Sequence, residues 1–297
     1  MRKLNITVIT ILIALGCFSL SSAPAASDPT QSTKFTTIDV PGAIFTAANG
    51  INARGDIVGL YLDSISFRVH GFLLSNGAYT TIDAPGGNLT VAFGINARGE
   101  IVGAYRDSGG IHGFLLSNSS FNTVQVPETT FTVLSGINSE GDIVGDYRDS
   151  SDNIHAFLLR KGTFTNIVLP GAALTDVEAI NPRGDIVGFY NESSGSNENG
   201  DDVHGLLLRK GEFTTIDVPG AAQMFGAFGI NSRGDIVGDS IDGNGNDHGF
   251  LLSKGTFTTI DVPGAISTDA NGINSRGDIV GDYIDSDGNE HGFLLSK

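Results

Sequence analysis

The hydrophobic and polar positions of this chain follow a ten-residue sequence motif that occurs six times. It reads GINARGDIVG at residues 50–59 and recurs at 94–103, 136–145, 179–188, 229–238 and 272–281. In each copy a polar turn that ends in Gly separates two apolar segments, which predicts two short strands joined by a tight turn. A period near 43 residues, held over six copies, is typical of repeat architectures.

Each period predicts four strands. In the last copy, residues 268–273 and 278–284 form the first two strands, and 291–296 form the third. In earlier copies a two-residue turn such as Asn76-Gly77 leads into a fourth strand, as at 213–218 and 257–262. A proline follows each fourth strand. Because Pro has no N–H group to donate to a ladder, it should end the strand there.

These strands predict a closed ring. Runs such as Phe-Leu-Leu are apolar on both faces of a strand, so the sheets must be covered on both sides, as the stacked blades of a β-propeller are. The repeats begin on a fourth strand at 35–40 and finish on a third strand at 291–297. Pairing these terminal strands removes the open edges. We therefore predict one all-β domain over 34–297, a six-bladed β-propeller closed by pairing of the N- and C-terminal strands.

The N-terminus predicts secretion. Arg2 and Lys3 precede a largely apolar stretch at 4–20, and small residues follow, so residues 1–25 fit a secretory signal peptide and 26–33 a short linker. A lipoprotein signal ending at Cys17 is the alternative. Cys17 is the only cysteine, so the mature chain would have no disulfide and no thiolate metal site. The expected location is secreted or periplasmic.

Charge narrows the classes of partner. The chain carries 33 acidic and 17 basic residues, for a net charge of −16, which argues against nucleic acid or an anionic membrane. In a propeller blade the turns between second and third strands share one end with the blade-to-blade crossings. The acidic residues expected at that end are Asp39, Asp63, Asp83, Asp107, Asp149, Asp152, Glu192, Glu198, Asp201, Asp202, Asp217, Asp242, Asp247, Asp261, Asp285, Asp287 and Glu290.

A histidine triplet marks each third strand. It reads His155-Ala156-Phe157 in one copy, His-Gly-Phe in four others and His-Gly-Leu at 204–206. With the Gly-Ile-Asn and Ile-Val-Gly phrases, it resembles the HAF-type extracellular repeat proteins over essentially all of 34–297. The resemblance implies a secreted bacterial repeat protein and supplies no site residues. Because a ring spaces its blades apart, we expect each His to bond within its own blade rather than share a metal ion.

Two further motifs have a structural and a functional interpretation. Arg-Gly-Asp occurs at 54–56, 183–185, 233–235 and 276–278, which suits either receptor adhesion or a turn; the variants at 98–100 and 140–142 keep the Gly and favour the turn. The turn that contains Asp285, Asp287 and Asn289 resembles the first half of an oxygen-rich Ca²⁺ loop, but the downstream bidentate carboxylate is missing. These three residues are the candidate ligands of a Ca²⁺ ion, and no other cofactor is predicted.

Candidate catalytic groups lie on the innermost strands, where most residues have no ionisable side chain. The exceptions considered are Asp176, Glu178 and Asp269, with the polar Asn271 beside them. Paired carboxylates are the machinery of glycoside cleavage. The chain has no Trp to stack on a sugar, and no Ser-His-Asp set or phosphate loop appears. We predict a non-catalytic binding or scaffold module, monomeric, whose acidic face meets an extracellular protein, glycan or cation. The alternative is a carbohydrate-active enzyme, a glycosidase or lyase, that uses the inner-strand carboxylates.

Overall fold

The computed structural model describes residues 34–192 and 203–296, which form six four-stranded antiparallel sheets. The predicted six-bladed β-propeller is confirmed. The predicted signal peptide and linker, and the acidic residues Glu198, Asp201 and Asp202, lie outside the described residues. Among the described residues, no helix has the length and apolar character needed to cross a membrane.

Each blade runs from an inner to an outer strand in chain order. Blade 1 contains β2 (Ala43–Ile51), β3 (Ile57–Asp63), β4 (Val69–Ser75) and β5 (Ala78–Ile82). Blade 2 contains β6 (Leu89–Ile95), β7 (Ile101–Asp107), β8 (Gly110–Ser117) and β9 (Ser120–Val124). Blade 3 contains β10 (Thr132–Ile137), β11 (Ile143–Arg148), β12 (Ile154–Arg160) and β13 (Thr163–Ile167).

The second half of the ring repeats this order. Blade 4 contains β14 (Ala172–Ile180), β15 (Ile186–Glu192), β16 (Val203–Arg209) and β17 (Glu212–Ile216). Blade 5 contains β18 (Gln223–Ile230), β19 (Ile236–Ile241), β20 (Asp247–Ser253) and β21 (Thr256–Ile260). Blade 6 contains β22 (Ser267–Ile273), β23 (Ile279–Ile284), β24 (Glu290–Ser296) and β1 (Lys34–Ile38).

Blade 6 confirms the predicted closure of the ring. Its outer strand β1 comes from the beginning of the repeat region and pairs antiparallel with β24, from Lys34 opposite Ser296 to Ile38 opposite Gly292. The predicted ends of the fourth strands were wrong by two residues, since β17 ends at Ile216 and β21 at Ile260. The reason is that Val262 donates its N–H to Thr268 Oγ1 (3.0 Å), so the chain leaves the sheet before Pro263.

The core repeats from blade to blade. The third strand of every blade contributes one side chain that is almost completely buried: Phe72, Phe114, Phe157, Leu206, Phe250 and Phe293. The Gly of each Ile-Val-Gly phrase makes room for this layer. A Cβ atom on Gly59 would lie 2.0 Å from the Ala47 carbonyl oxygen and 2.8 Å from the Phe72 ring, so no larger residue fits.

A continuous ring of hydrogen bonds joins the six blades and accounts for the recurring Asn. Asn52 Nδ2 donates to the backbone oxygen of Asn96, its counterpart in the next blade, and Asn274 Nδ2 closes the circle by donating to Asn52 O (3.2 Å). Each Asn is buried, and its Oδ1 also accepts backbone N–H groups of its own turn. The members of this asparagine ring are Asn52, Asn96, Asn138, Asn181, Asn231 and Asn274.

The Arg-Gly-Asp motifs belong to the same ring, as the turn interpretation predicted. In one copy Arg276 pairs with Asp278 (2.6 Å) and donates from Nη1 to the Ala53 carbonyl of the next blade (2.6 Å). In blade 3, where the motif is missing, Arg160 reaches in from the third strand and pairs with Asp142 instead (2.7 Å). These arginines hold blades together and already have partners.

Candidate functional site

The two ends of the ring differ in character. The asparagine face is the end that carries the asparagine ring and the hairpin turns. The crossing face is the opposite end, where the turns between second and third strands meet the blade-to-blade crossings. Ser64 N donates to Gly42 O (3.2 Å), and Arg68 Nη2 donates to Gly87 O (2.8 Å), so turn and crossing contact each other directly. These contacts place both sets of loops on one surface, as the sequence analysis expected.

The crossing face is strongly acidic. Against its three arginines, Arg68, Arg106 and Arg148, it carries many more carboxyl groups: Asp39, Asp63, Asp83, Asp107, Glu128, Asp149, Asp152, Glu192, Asp217, Asp242, Asp261, Asp285 and Asp287. Hydrogen bonds from the backbone N–H groups of the turns keep several of these ionised. Bonds from Asn289, for example, lower the pKa of Asp285 to about 2. Clustered carboxylates on rigid loops attract cations.

In three blades a histidine clamps the crossing-face turn to the end of the fourth strand: His112, His248 and His291. His291 lies between Asp285 of the preceding turn (3.2 Å) and Asp39 at the end of the fourth strand (2.9 Å), and its ring stacks on Tyr283. His248 is held in the same way by Asp242 and Asp261. The prediction that each His bonds within its own blade is confirmed. Among the described residues, His70 and His204 bond the Asp after their fourth strand and His155 bonds Asp149 of its turn, so a His near the start of each third strand anchors at least one of these loops.

The predicted Ca²⁺ ligands share one turn on this face. Asp285 Oδ1 accepts the N–H groups of Asp287 (2.8 Å) and Asn289 (2.9 Å), and Asn289 Nδ2 donates to Asp285 Oδ2 (3.1 Å). The side chain of Asp287 is exposed. Within the described ranges, no three His, Cys, Asp or Glu side chains converge in a geometry that holds a metal ion. Ca²⁺ binding at this turn stays a prediction.

The junction between blades 3 and 4 buries a group of carboxyls. Asp146 of β11 is completely buried and faces Asp176 of β14, which is 1% exposed. Neither carboxyl oxygen of Asp146 makes a well-formed hydrogen bond, although the Val177 N–H lies near enough to favour its charged form. Burial and repulsion by Asp176 raise the pKa of Asp146 well above its usual range. The same causes raise the pKa of Glu178, on the inner strand, to about 8.

A second and larger group lies between blades 5 and 6, with Asp269 of β22 at its centre. Burial raises the pKa of Asp269 to about 6, although hydrogen bonds from Asp282 and Asp247 oppose the rise. Burial and the charge of Asp269 raise the pKa of Asp247 to about 8 and that of Glu290 to about 7. Across the junction, Asp239 Oδ1 accepts the Ala270 N–H (2.6 Å). Burial and mutual repulsion therefore favour the protonated form of several of these carboxyls near neutral pH.

Sequence reasoning placed part of this group wrongly. Asp247 and Glu290 were expected among the exposed acidic loops, but they are the first residues of β20 and β24 and are partly buried in the blade sheets. The other four blades have Val69, Ile111, Ile154 and Val203 at this position. Asp146, Asp239 and Asp282 were missed altogether. Their signal was the residue after the Ile-Val-Gly phrase, which is apolar in blades 1, 2 and 4 and Asp in blades 3, 5 and 6.

The candidate catalytic carboxyls do not form a single group. Asp176 and Glu178 belong to the cluster between blades 3 and 4, whereas Asp269 belongs to the cluster between blades 5 and 6. Asn271 donates to Asp282 (2.8 Å) and to the Ala48 carbonyl of blade 1 (3.3 Å), so its amide serves the packing of inner strands. The pair needed for acid–base chemistry is thus divided between blades 4 and 6.

Known structures share the architecture of this chain. No family model matches it, and no curated protein resembles it in sequence. The Aleuria aurantia lectin solved with Fucα1-6GlcNAc has a TM-score of 0.52 at 12% identity, over 85% of this chain and 93% of the lectin. A gluconolactonase-like protein gives 0.52 at 13% identity, over 90% and 93% of the two chains. TolB from Acinetobacter baumannii gives 0.55 at 9%, over 81% and 63%. These are propellers that bind and propellers related to enzymes, so the likeness establishes the fold alone.

Proposed function

We propose that this protein is a secreted, non-catalytic binding module that uses its crossing face to bind a cationic protein partner. The observation that carries the proposal is the separation of charge between the two ends of the ring. Carboxylates dominate the crossing face, whereas the arginines of the asparagine face are paired with Asp or Glu and with backbone oxygens of the next blade. The excess of negative charge is therefore greatest on the crossing face.

The His clamps support the proposal because they present carboxylates in a fixed geometry. Asp261 bonds His248 (2.7 Å) and yet its side chain is 53% exposed, and Asp39 is 50% exposed while it bonds His291. Side chains that are fixed and exposed lose little conformational entropy when a partner binds. An array of them around a ring suits a partner with several positive charges.

Binding to oligolysine tests the proposal. We expect purified protein to bind a fluorescent lysine hexamer with an affinity that falls steeply between 20 and 200 mM NaCl, because the screening length for exposed charges shortens from about 20 Å to about 7 Å over this range. A glutamate hexamer with the same label is the matched control and should not bind. Equal binding of both hexamers, or of neither, would refute the proposal.

A second candidate function is carbohydrate cleavage in the channel. One observation favours it: Glu178 lies on an inner strand with a pKa near 8, so it keeps its proton at neutral pH as a general acid must. This function predicts glycan cleavage that Glu178→Gln reduces at least 100-fold, measured by reducing-end or unsaturated-product assays on a panel of acidic and neutral glycans. Absence of turnover by the wild type on that panel would argue against it.

A further inference from the structure

Exposed apolar side chains gather on one sector of the crossing face. The described residues include five large hydrophobic side chains that are well exposed, and all five lie at this end of the ring: Ile44 (47%), Ile65 (88%), Phe67 (72%), Val168 (61%) and Ile266 (43%). Four of them belong to the neighbouring blades 1 and 6. Only Val168 stands apart, directly after the outer strand β13 of blade 3.

The inner strands of blades 1 and 6 differ from the rest at one position. Ile44 and Ile266 each precede the inner-strand segment that enters the channel, and their counterparts in blades 2 to 5 are Asn88, Thr130, Ala173 and Ala222. The two isoleucines thus occupy equivalent sites on adjacent blades. They form the inner part of what we call the apolar sector, which consists of Ile44, Ile65, Phe67 and Ile266.

The outer part of the apolar sector is an ordered turn. Asp63 Oδ1 accepts the N–H groups of Ile65 (3.1 Å) and Ser66 (2.6 Å), and the Phe67 N–H donates to Asp63 O (3.0 Å). Arg68 fixes the turn to the next crossing through Gly87 O. The backbone is therefore held in place while the Ile65 and Phe67 side chains project into solvent.

Phe67 also carries backbone strain. Its φ is +51°, in the left-handed region, where a bulky side chain is disfavoured and where the turns of blades 5 and 6 use Gly245 and Gly288. A large aromatic residue is thus kept in a conformation that suits glycine or asparagine, with its ring exposed. Strain of this kind without a packing benefit points to a contact that the isolated chain does not make.

We propose that the apolar sector docks a basic segment of a partner protein that carries an aromatic or large aliphatic side chain beside its lysines or arginines. This inference rests on the proposed function of the crossing face and adds its apolar determinant. Charge decides the kind of occupant. Asp39, Asp63, Asp83 and Asp285 belong to crossing-face loops of the same two blades, so a second copy of this chain would bring two acidic faces together and be repelled. A basic and apolar segment matches both the carboxylates and the exposed apolar side chains.

Two labelled heptapeptides of equal charge test this inference. One alternates lysine with phenylalanine and leucine, and the other replaces the apolar residues with serine. We expect the wild type at 100 mM NaCl to bind the apolar peptide at least 10-fold more tightly. The double variant Ile65→Ser/Phe67→Asn should lose this preference while binding the serine peptide as before. Val168→Ser, which removes an exposed apolar residue next to the outer strand of blade 3, is the matched control and should keep the preference.

The outcomes separate the two proposals. Equal binding of both peptides by the wild type would overturn the apolar sector and leave the acidic face standing, whereas failure to bind either peptide would overturn both. Thermal unfolding gives a second readout, because Asn tolerates positive φ: Phe67→Asn alone should raise the Tm by about 2–4 °C. A variant that gains stability while it loses the apolar preference would show that Phe67 is retained for binding. Loss of stability in Phe67→Asn would contradict the argument from strain.

Discussion

The side chain of Asp146 faces that of Asp176 across the junction of blades 3 and 4, at the level where Leu60 packs near Val91 between blades 1 and 2. The equivalent positions of the repeat are occupied by apolar residues at some blade junctions and by carboxyl groups at others. Burying a carboxyl without a basic partner costs free energy, and here the cost is limited because the groups keep their protons. The carboxyl junctions are therefore sites where the fold gives up stability.

Apolar residues at this junction should stabilise the protein. The double variant Asp146→Leu/Asp176→Val copies the residues of blades 1 and 2, and we expect it to raise the free energy of unfolding by about 1–4 kcal/mol, as replacements of buried polar clusters do. Urea denaturation measures the change. The reverse variant, Leu60→Asp, should destabilise by about 3 kcal/mol or more. A less stable double variant would mean that the Asp146–Asp176 pair supports the junction.

Stability should fall as the pH rises from about 4 to about 8. A carboxyl whose pKa is higher in the folded chain than in the unfolded chain binds its proton more tightly when folded, so its contribution is lost as the pH passes the folded pKa. Asp269, Glu290, Asp247 and Glu178 titrate at about 6, 7, 8 and 8, against about 4 when unfolded.

The histidine clamps also make the folded protein less stable as the pH rises. Partial burial opposes the charged imidazole, but bonds with Asp261 and Asp242 outweigh it and raise the pKa of His248, so this contribution is also lost on raising the pH. We expect the free energy of unfolding from urea titrations to drop by at least about 2 kcal/mol between pH 5 and pH 8. A constant or rising value over this range would contradict the shared protons of the junctions.

Much of this fold was predictable from sequence because the same residue type has the same structural role at equivalent positions of the repeats. Asn52 and its counterparts recur because each side chain must accept N–H groups of its own turn and donate a hydrogen bond to the next blade. Gly59 and its counterparts recur because no Cβ atom fits at that position. The carboxyl junctions escaped prediction for the opposite reason. Asp282 is partly buried beside Asp269 because the neighbouring strand places Asp269 opposite it. The sequence of one strand does not show which residue its neighbour places there. Asp247 was assigned to a loop because an acidic residue at the start of a strand has the same sequence pattern as the last residue of a polar turn.

The asparagine ring should be sensitive to a single substitution. Asn96 Oδ1 accepts the N–H groups of Arg98 (3.0 Å) and Glu100 (3.1 Å), and its Nδ2 donates to Asn138 O (3.0 Å) in the next blade. Asn96→Ala removes the acceptor of two backbone N–H groups and the bond between blades, and should cost about 1–3 kcal/mol. Asn96→Asp should cost more, because it adds a carboxylate beside Glu100. Asn122→Ala, at an exposed site, is the control. If Asn96→Ala melts with the wild type, the ring is not needed to hold the blades.

Calcium tests the turn that contains Asp285, Asp287 and Asn289. A weak site with a Kd near 1 mM would raise the Tm by about 2–4 °C at 10 mM Ca²⁺, and Asp287→Ala should remove most of that rise. The ion would have to compete with the N–H groups that already bond Asp285. The same concentration of Mg²⁺ is the control for general screening. No shift specific to Ca²⁺ would identify the turn as an ordinary hairpin tip.

The measurement that bears most directly on the crossing face compares two charge-matched double variants in their affinity for the lysine hexamer. Asp261→Asn/Asp287→Asn removes two carboxylates from the crossing face, and Glu140→Gln/Glu212→Gln removes two exposed carboxylates from the asparagine face. Both variants change the net charge equally. We expect the first to weaken binding at least fivefold at 50 mM NaCl and to flatten its dependence on salt, while the second binds within a factor of two of the wild type. Equal losses in the two variants would show that only net charge matters and would contradict a binding surface on the crossing face.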